Sequence, residues 1–409
     1  MSGANFMSKL LDGVVVEWKS LGDELFVEVA NAARRPVKAS LRVSGDVPYY
    51  GANNIQDYVD GYTHDGDYVL IAEDGSASLE NYSVQYVIGK FWANNHVHVV
   101  RGKQGLNTKF LYHYLRVVDF LPYLPNKDRS KLTKGEMVKI KVPIPCPSNP
   151  KKSLEIQAKI ACILDTFTEL TAKLITELAF RKKQYNYYRD QLLSFEGREM
   201  KLQALGDIGE FIRGKRFTKA DYVEEGIRVI HYGEIYTRYG VWADQAFSMV
   251  RDDMAGSLRY AEPGDVVLAG VGETVEDVGK AVAWLGAQSV AIHDDSYAFR
   301  HSINPKYVSY AMQTASFNSQ KIKHVSSGKV KRILIEGFKK EVRIPVPYPD
   351  DHERSLAEQA RIVAILDKFD TLINSISDGL PREIELRQKQ YEYYRDLLLS
   401  FPTPEEVIA

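Results

Sequence analysis

Two long stretches of the chain carry apolar residues at steps of three and four positions, with polar residues between them. This spacing is typical of an amphipathic α-helix that buries one face against a partner helix. In the first stretch the apolar positions are Ile160, Ile163, Phe167, Leu170, Leu174, Leu178, Tyr185, Tyr188, Leu192 and Phe195. In the second they are Ile362, Ile365, Phe369, Leu372, Ile376, Leu380, Ile384, Tyr391, Tyr394, Leu398 and Phe401. A single apolar stripe of this kind is most often ordinary core, and only its duplication together with its surroundings indicates more.

The two stretches are copies of each other. QAKIACILDTF (157–167) returns as QARIVAILDKF (359–369), and RKKQYNYYRDQLLSF (181–195) returns as RQKQYEYYRDLLLSF (387–401). Neither copy contains the continuous apolar run that a membrane span needs. A duplicated amphipathic helix most simply packs against its own copy, so we expect two long antiparallel helices in a coiled coil.

The second copy is longer than the first. Phe167 and Arg181 are 14 positions apart, whereas Phe369 and Arg387 are 18 apart, a difference of four. An insertion of four residues shifts a heptad pattern without turning the apolar face away from its partner. The inserted region contains Gly379-Leu380-Pro381, and because glycine and proline interrupt helices we expect a local break there.

Each helix follows a segment rich in Val, Tyr, Gly and Asp, with short runs typical of strands. The landmarks that the two segments share are Leu21-Gly22-Asp23 with Leu205-Gly206-Asp207, DGDYVLIAEDG (65–75) with PGDVVLAGVGE (263–273), and KVPIPCP (141–147) with VRIPVPYP (342–349). The chain therefore predicts an α+β fold with a pseudo-twofold internal repeat, in which long helices separate two mixed α/β globular domains. The predicted boundaries are a globular domain at 1–147, a spacer helix at 148–199, a second globular domain at 200–349 and a second spacer helix at 350–409.

The composition is that of an ordinary soluble protein, with 44% hydrophobic and 26% charged residues among 409. The net charge of -1 argues against indiscriminate nucleic-acid binding but not against local basic surfaces. Cys146 and Cys162 are too few for a disulfide framework or a four-ligand metal site, and indicate a reducing compartment. Because the sequence opens without a basic segment followed by an apolar run, we expect a cytoplasmic location.

Outside these landmarks the two globular segments diverge. FWANNHVHVV (91–100) occupies the place of SVAIHDDSYAF (289–299), with few matching residues. Two modules that read different ligands need a shared scaffold with different surface side chains. An old duplication that simply drifted is the alternative.

The chain resembles the specificity subunit of type I restriction-modification enzymes over nearly its whole length. The residues that carry the resemblance are the tandem arrangement, the helix starts QAKIACILD and QARIVAILD, the helix ends YNYYRDQLLSF and YEYYRDLLLSF, and GEFIRGKRFTKADYVEEG (209–226). The resemblance implies two target-recognition domains, each reading one half of an asymmetric bipartite sequence in double-stranded DNA. It also implies that the helices act as spacers and hold methyltransferase subunits. The first helix departs from the pattern because it lacks the Gly-Leu-Pro break of the second.

The resemblance further implies that this chain is a non-catalytic subunit with no cofactor of its own. Two methyltransferase subunits and, for cleavage, two translocating restriction subunits are then the partners. S-adenosylmethionine, ATP and magnesium belong to those partners. Exposed positions near the helix ends, such as Arg189 and Arg395, are candidates for partner contact.

The length of the helices suits a role as a ruler. Two readers contact one face of B-DNA when their sites lie roughly 34–36 Å apart. A helix of about 40 residues is about 60 Å long, so it can impose such a separation. Four added residues lengthen a helix by about 6 Å, which is close to two base pairs at about 3.4 Å each. The sequence therefore predicts a fixed unread gap that changes with helix length.

Basic residues cluster in three loops, where we predict contacts with DNA phosphates or bases. In the second domain they are Arg213, Lys215, Arg216 and Lys219, beside Phe217 and Tyr222, and then Lys329, Lys331 and Arg332 in SSGKVKR (326–332). In the first domain they are Lys127, Arg129, Lys131 and Lys134 in NKDRSKLTKG (126–135). A charged loop is more often simply solvated, but these loops lie at comparable places in both domains.

Some polar side chains have the chemistry to read base edges, since Asn pairs with adenine and Arg with guanine. The candidates are Asn94, Asn95 and His96 in the first domain, and His231, Tyr232, Tyr236 and Arg238 in the second. The sequence assigns none of them to a particular base.

Motifs for nucleotides and metals are incomplete. GEFIRGKR (209–216) has the spacing of a phosphate loop up to Lys215, but Arg216 replaces the hydroxyl residue that binds magnesium. Gly264, Gly270 and Gly272 lack the third glycine of a dinucleotide fingerprint because Val275 stands in its place. The pair His96 and His98 has no cysteine or acidic cluster nearby in sequence to complete a metal site. The triplet His293-Asp294-Asp295 has the residue types of a metal or acid-base group, but an isolated triplet of this kind is mostly a turn at the end of a strand.

Two alternatives to a specificity subunit remain at this stage. One is a self-sufficient enzyme such as a metal-dependent nuclease. The other is a DNA-binding coiled-coil scaffold without a methyltransferase partner. Exchanging residues 24–140 for another reader distinguishes all three, because only a specificity subunit changes its DNA selectivity.

Overall fold

The structure is a computed structural model of the chain and describes residues 14–124, 131–194, 199–375 and 378–402. The sequence-predicted positions Lys127, Arg129, Phe195 and Ile376 lie outside these residues. The described residues form two compact units. Unit 1 contains those up to Lys173 and those from Glu385, and unit 2 contains those from Leu174 to Ile384.

The strands are short and distributed over both units. Those of unit 1 are β1 (Val16–Ser20), β2 (Val27–Val29), β3 (Ser44–Tyr50), β4 (Ile55–Val59), β5 (His64–Asp65), β6 (Tyr68–Ala72), β7 (Val84–Val87), β8 (Lys90–Ala93), β9 (Val97–Gly102) and β10 (Lys141–Pro145). Those of unit 2 are β11 (Met200–Ala204), β12 (Gly209–Arg213), β13 (Tyr222–Val223), β14 (Ile227–Ile230), β15 (Trp242–Ala243), β16 (Ser248–Val250), β17 (Tyr260–Ala261), β18 (Val266–Ala269), β19 (Val271–Gly272), β20 (Ala281–Trp284), β21 (Val290–Ile292), β22 (Ser296–His301), β23 (Lys331–Arg332) and β24 (Arg343–Pro347). We call residues 16–145 the first head and residues 200–347 the second head.

The helices are of two kinds, short ones within the heads and long ones that follow each head along the chain. They are α1 (Thr108–Leu115), α2 (Lys134–Met137), α3 (Pro150–Leu192), α4 (Leu205–Ile208), α5 (Tyr232–Thr237), α6 (Pro305–Ala311), α7 (Ala315–Lys321), α8 (Ile335–Glu341), α9 (His352–Asn374) and α10 (Leu380–Leu399). Short 3-10 turns lie at Asn31–Ala33, Ala39–Leu41, Leu121–Tyr123, Lys219–Asp221, Asp252–Ser257 and Ile322–His324. Among the helices that the structure describes, none is long and apolar enough to cross a membrane.

The predicted break in the second long helix is confirmed. The first copy of the repeat is one continuous helix of 43 residues, α3. In the second copy α9 ends at Asn374 and α10 begins at Leu380. Gly379 lies in the break, and a Cβ added there would come within 2.4 Å of the Thr371 carbonyl oxygen. A residue with a side chain therefore does not fit at this position without a shift of the backbone.

Each head begins and ends on the same two-stranded ribbon. β1 pairs antiparallel with β10 in the register Val16 to Pro145, and β11 pairs with β24 in the register Met200 to Pro347. The residue after each Pro-rich strand has a positive φ, 50° at Cys146 and 43° at Tyr348. The shared Pro-rich stretches seen in the sequence are thus the closing strands of two equivalent ribbons.

Two further sheets build the body of each head. In the first head their strand orders are β2-β9-β6-β7 and β4-β3-β8-β5. In the second head they are β12-β22-β18-β20-β15 and β13-β16-β14-β21-β17. Each head has one parallel pair in its second sheet, β3 with β8 and β14 with β21. The strands β6 and β18 are buried along their whole length because they lie inside their sheets. These mixed sheets with short helices confirm the predicted α+β class.

Within each unit, the apolar face of one repeat copy packs against the apolar face of the other. In unit 1 the ring of Phe167 stacks on that of Tyr394, with centroids 5.2 Å apart. Farther back along α3, residues 156–164 share the hydrophobic core with residues 398–401, beyond Tyr394 along the chain. In unit 2, Tyr188 stacks on Phe369 at 5.9 Å. Contacts made by earlier residues of α3 thus fall on later residues of α10. The two helices of unit 1 therefore run antiparallel, as predicted.

Candidate nucleic-acid interface

The turn 293–295 between β21 and β22 is held by two neighbouring chain segments. The backbone N–H of Gly270 donates to the Asp295 carbonyl at 2.7 Å, and the N–H of Ile333 donates to the Gly270 carbonyl at 2.9 Å. These bonds place the turn beside the short antiparallel pair of β19 and β23. We call the turn together with residues 270 and 333 the turn frame of the second head.

The first head contains the same turn frame. Its turn, 94–96, lies between β8 and β9. The N–H of Glu73 donates to the His96 carbonyl at 2.8 Å, and the N–H of Leu132 donates to the Glu73 carbonyl at 2.7 Å. The backbone hydrogen bonds of the two frames therefore correspond one to one, whereas the side chains on them differ.

Both basic clusters predicted in the second head converge on its turn frame. Arg213, at the end of β12, donates through Nε to the Asp294 carbonyl at 2.7 Å. Arg332, in β23, donates through Nη1 to the Asp295 carboxylate at 2.9 Å. The Arg332 side chain remains 56% exposed, so its guanidinium is still open to a ligand. Two clusters that are far apart in sequence thus form one basic surface.

The other basic positions of the second head are accessible. Lys215 is tied to the strand that leads into the turn, since its N–H donates to the Ile292 carbonyl at 3.0 Å. The exposed members of the set are Lys215, Arg216, Lys219 and Lys329. Lys331 is half-buried and donates through Nζ to the Ser327 carbonyl at 3.3 Å. Phe217, by contrast, is 3% exposed and anchors its loop in the core.

In the first head, Lys131 lies at the corresponding place. Its Nζ is 3.1 Å from the Glu73 carboxylate, and its side chain is 52% exposed. Lys134 is exposed at the start of α2. Lys131 therefore occupies the position next to the turn frame that Arg332 occupies in the second head.

The two asparagines of the first turn have different environments. Asn94 is 3% exposed, and its side-chain oxygen accepts the His96 N–H at 2.8 Å. Asn95 is exposed, and the exposed His96 ring lies 2.5 Å from the Asp74 carboxylate through Nδ1. Asn94 thus shapes the turn, while Asn95 and His96 form its accessible surface.

A basic stretch of the first head escaped the sequence analysis. RRPVKASLR (34–42) contains four basic residues in nine positions, a signal that was visible in the sequence. The N–H of Arg35 donates to the Ala93 carbonyl at 3.0 Å, the bond that Lys215 makes in the second head. Arg35 and Lys38 are exposed. Each head therefore brings a basic loop, a polar turn and a basic segment near the closing strand to one frame.

Glu73 holds the basic side chains of the first frame. Its carboxylate lies 2.6 Å from Arg34 Nη1 and 3.1 Å from Lys131 Nζ. Burial alone would raise the pKa of Glu73, but the hydrogen bonds from Arg34 and Lys131 outweigh it and lower this pKa. Glu73 consequently stays ionised and keeps both cations at the frame.

Some of the candidate base readers at α5 make contacts within the second head. His231 caps the helix, since its Nδ1 accepts the Gly233 N–H at 3.1 Å. Burial, and after it the nearby His293, lowers the pKa of His231, so its ring is neutral at neutral pH. Arg238 lies 4.0 Å above the ring of Phe247. Tyr232 and Tyr236 are half-buried on the same helix.

The triplet His293-Asp294-Asp295 is used inside the turn frame. Its ligand atoms lie close enough together to hold a metal ion. However, the N–H of Asp295 donates to His293 Nδ1 at 3.1 Å, and His293 Nε2 lies 3.1 Å from the Phe217 carbonyl. Both ring nitrogens are therefore engaged, and the Asp295 carboxylate is paired with Arg332. The triplet is better explained as a turn than as a metal site.

The glycine-rich stretch 209–216 does not form a phosphate loop. Residues 209–213 are strand β12, which pairs with β22. A Cβ added at Gly214 would lie 2.2 Å from the carbonyl oxygens of Ile292 and His293. Gly214 is needed because two backbones approach closely there, not because a phosphate does.

The two arginines predicted for partner contact differ in exposure. Arg189 is 8% exposed and pairs with Asp190 at 3.0 Å, so the expectation that it is exposed was wrong. Arg395 keeps 29% of its side chain exposed. The most exposed aromatic residues of the same motif are Tyr187, at 61%, and Tyr393, at 59%. The sequence repeat YYRD contained these tyrosines, but its periodicity does not distinguish an inner face from an outer one.

Comparison with known proteins places these features in a family. The profile described as "Type I restriction modification DNA specificity domain" matches residues 16–179 and 198–386. The chain is 44% identical over 409 residues to a putative type I restriction enzyme specificity subunit of Haemophilus influenzae, covering 97% of this chain and 98% of the relative. It is 33% identical over 424 residues to the type I restriction enzyme EcoR124I/EcoR124II specificity subunit of Escherichia coli, covering 100% of both.

Solved structures show the same fold. The S subunit of a type I restriction-modification system from M. genitalium superposes with a TM-score of 0.56 at 15% identity, over 96% of this chain and 98% of that one. A chain from a study of the assembly and conformational transition of a type I system gives the same TM-score and identity, over 94% and 97%. At this level of identity the likeness concerns the fold alone.

Proposed function

Because this chain belongs to the family of type I restriction-modification specificity subunits, we propose that each head reads one half of an asymmetric split DNA sequence. The two family-profile matches correspond to two target-recognition domains. A DNA-binding coiled-coil scaffold without a methyltransferase partner, one of the two alternatives left open by the sequence, does not account for specificity-subunit relatives that share the whole chain length. The target is double-stranded DNA.

One observation carries the proposal: the two heads build the same turn frame with different side chains. In the first head Lys131 stands beside Glu73 and the turn carries Asn95 and His96. In the second head Arg332 stands beside Asp295. A constant backbone frame positions side chains on DNA, while different side chains read different bases. If the two heads had diverged without a function, there would be no reason for basic side chains to lie beside both turn frames.

The long helices set the unread gap between the half-sites in this proposal. α3 has 43 residues, which corresponds to about 65 Å at 1.5 Å per residue. The gap therefore depends on the number of helical residues.

Two methyltransferase subunits dock on the helices, one on each copy of the repeat. The support is a pair of equivalent exposed tyrosines, Tyr187 and Tyr393. Phe180 and Leu386 precede them by seven residues and are 56% and 42% exposed. Seven positions are about two helical turns, so each pair lies on one outer face. Because the chain contains two equivalent exposed surfaces, it can bind two identical partner subunits.

Catalysis belongs to the partner subunits in this proposal, and the present chain is non-catalytic. The methyltransferase subunits supply S-adenosylmethionine, and the restriction subunits that join for cleavage supply ATP and magnesium. The complex acts on cellular DNA in the cytoplasm.

The test is methylation by the chain purified together with its methyltransferase subunits. The expected product is methylated adenine at one split asymmetric sequence, mapped over a whole genome. Replacing residues 24–140 with another first head should change one half-site and leave the other half-site and the gap unchanged. Methylation that ignores sequence, or a swap that alters neither half-site, contradicts the proposal.

A further inference from the structure

A buried glutamine of each long helix hydrogen-bonds the start of a short helix in the adjoining head. Gln157, in α3, accepts the backbone N–H of Asn107, the N-cap of α1, at 2.8 Å. Gln359, in α9, accepts the backbone N–H of Asn304, the N-cap of α6, at 2.8 Å. Both glutamines are 0% exposed. We call these two contacts the glutamine clamps.

Each clamp glutamine has a single orientation. Gln157 donates through Nε2 to Ser153 Oγ at 2.9 Å, and Gln359 donates to Ser355 Oγ at 3.0 Å. Both serines are buried, and Ser355 donates in turn to the Pro347 carbonyl of the closing strand. Because the oxygen and the nitrogen of each amide are both used in a buried site, a flipped amide would leave two polar groups unpaired.

In each unit a second contact joins the long helix to the same short helix, α3 to α1 and α9 to α6. Asp165 lies 2.9 Å from His113 Nε2 in unit 1, and Asp367 accepts the Tyr310 hydroxyl at 2.8 Å in unit 2. In both units the carboxylate is eight residues beyond the glutamine, which is about 12 Å along a helix. A lysine also pairs with each carboxylate, Lys109 at 3.3 Å and Lys306 at 2.9 Å.

Two contacts separated along a helix fix an angle that one contact leaves free. The carboxylates are partly solvated, with 30% of the Asp165 and 33% of the Asp367 side chain exposed, so salt weakens their ion pairs. The clamps are buried and neutral, so neither salt nor pH affects them directly. The clamps are therefore the attachments between each head and its helix that salt and pH change least.

We propose that Gln157 and Gln359 are positioning residues for DNA recognition. They hold each head at one angle on its helix, so that the assembled complex accepts one gap length between the half-sites. The inference rests on the proposed function, but it concerns how sharply the gap is defined rather than which bases are read. Neither glutamine contacts DNA; each acts through the head that it holds.

The experiment uses the full chain in complex with its methyltransferase subunits. The substrates are duplexes that carry both half-sites, taken from the methylation map, at the native gap and at gaps one base pair shorter and longer. Gln157→Met and Gln359→Met keep the side-chain length and remove the hydrogen bonds. The ratio of methylation rates at native and altered gaps should fall roughly tenfold, the factor expected when one buried hydrogen bond is lost. Lys159→Met, an exposed position on the same helix, is the matched control and should leave the ratio unchanged.

The outcomes separate this inference from the proposed function. If the unmodified complex methylates no split site, the proposed function is wrong. If it does, and the Met variants keep the native ratio, the positioning role is wrong. For a Met variant that is inactive at every gap, the affinity of the complex for the same duplexes replaces the methylation rate. A lower ratio of affinities at native and altered gaps supports the role, and an unchanged ratio overturns it, as does a loss of binding at every gap.

Discussion

The ring of Phe167 stacks on the ring of Tyr394 with centroids 5.2 Å apart and planes 17° apart, so that both copies of the repeat meet in one unit. The equivalent residues of the other unit, Phe369 and Tyr188, stack at 5.9 Å and 21°. The same seam is thus used twice. Each contact joins the first half of one repeat copy to the second half of the other.

Phe167→Ala should destabilise unit 1 because it removes a large ring from the seam. The expected loss is about 2–3 kcal/mol, less than for a fully buried phenylalanine because the ring is only partly buried. The measurement is the urea midpoint followed by a probe in unit 1. Phe180→Ala, at a 56% exposed position, is the control and should shift the midpoint much less. Equal shifts for the two variants would contradict the importance of the stack.

Arg332→Ala should weaken DNA binding by roughly tenfold, since an arginine contact to a base contributes about 1–3 kcal/mol. The measurement is the affinity for the mapped target and for a variant half-site at several salt concentrations. A base contact predicts relaxed selectivity in the second half-site, and a phosphate contact predicts a salt slope smaller by about 1. Arg251→Ala removes an ion-paired arginine whose side chain is 50% exposed, close to the 56% of Arg332, and is the control. Unchanged affinity and selectivity in Arg332→Ala would show that this arginine lies away from DNA.

Lengthening α3 should widen the gap. Four residues inserted between Phe167 and Arg181 make the first copy as long as the second, and they add about 6 Å of helix. At about 3.4 Å per base pair the gap should grow by about two base pairs, with both half-sites unchanged. The methylation map of cells that carry the longer chain measures both quantities. Four substitutions at exposed positions of the same segment are the control, and an unchanged gap in the longer chain would contradict the ruler.

Acid should destabilise unit 2 partly through His301. Burial lowers the pKa of His301 to about 4, and the Asp265 carboxylate offsets only part of this effect. An unfolded histidine has a pKa of about 6.5, so between pH 6.5 and 4 the unfolded state binds more protons than the folded one. Stability therefore falls as the pH drops through this window, by at most roughly 3 kcal/mol for this residue.

The check is the free energy of unfolding as a function of pH. His301→Leu should flatten its fall between pH 6.5 and 4 relative to the unmodified chain. His352→Leu, which alters an exposed histidine at the start of α9, should retain the full fall. An identical pH profile for His301→Leu and the unmodified chain would exclude the contribution.

Much of the fold was predictable because the signals are periodic or local. The spacing of Phe167, Tyr185 and their copies identified the long helices, and Gly379 and Pro381 identified the break between α9 and α10. The Pro-rich stretches were visible as shared landmarks, and the structure places them in two-stranded ribbons, whose strands are edges that tolerate proline. The boundaries predicted for the four domains stay predictions.

The candidate interface was predictable only in its local parts. The clusters around Arg213 and Arg332 were visible as basic loops, but their meeting at the turn 293–295 depends on strand pairing across the whole head. The basic residues of the stretch 34–42 are visible in the sequence. The stretch was nevertheless not predicted as part of the interface, because no local sequence signal indicates its contact with residues 91–100. Asn94 and Arg189 are buried, whereas Asn95 and Arg395 are accessible to solvent. This difference was not predictable because burial depends on contacts between residues that are remote in sequence. The DNA-contact roles of these residues stay predictions.

The packing of Leu398, Leu399 and Phe401 into the core of unit 1 has a consequence for biosynthesis. The first head cannot complete its core while the ribosome is still making unit 2, because Leu398, Leu399 and Phe401 are translated after that unit. Until then the core that contains Ile156 and Ile160 lacks these three side chains. A premature stop codon before residue 398 would therefore damage the half of the protein that was translated first.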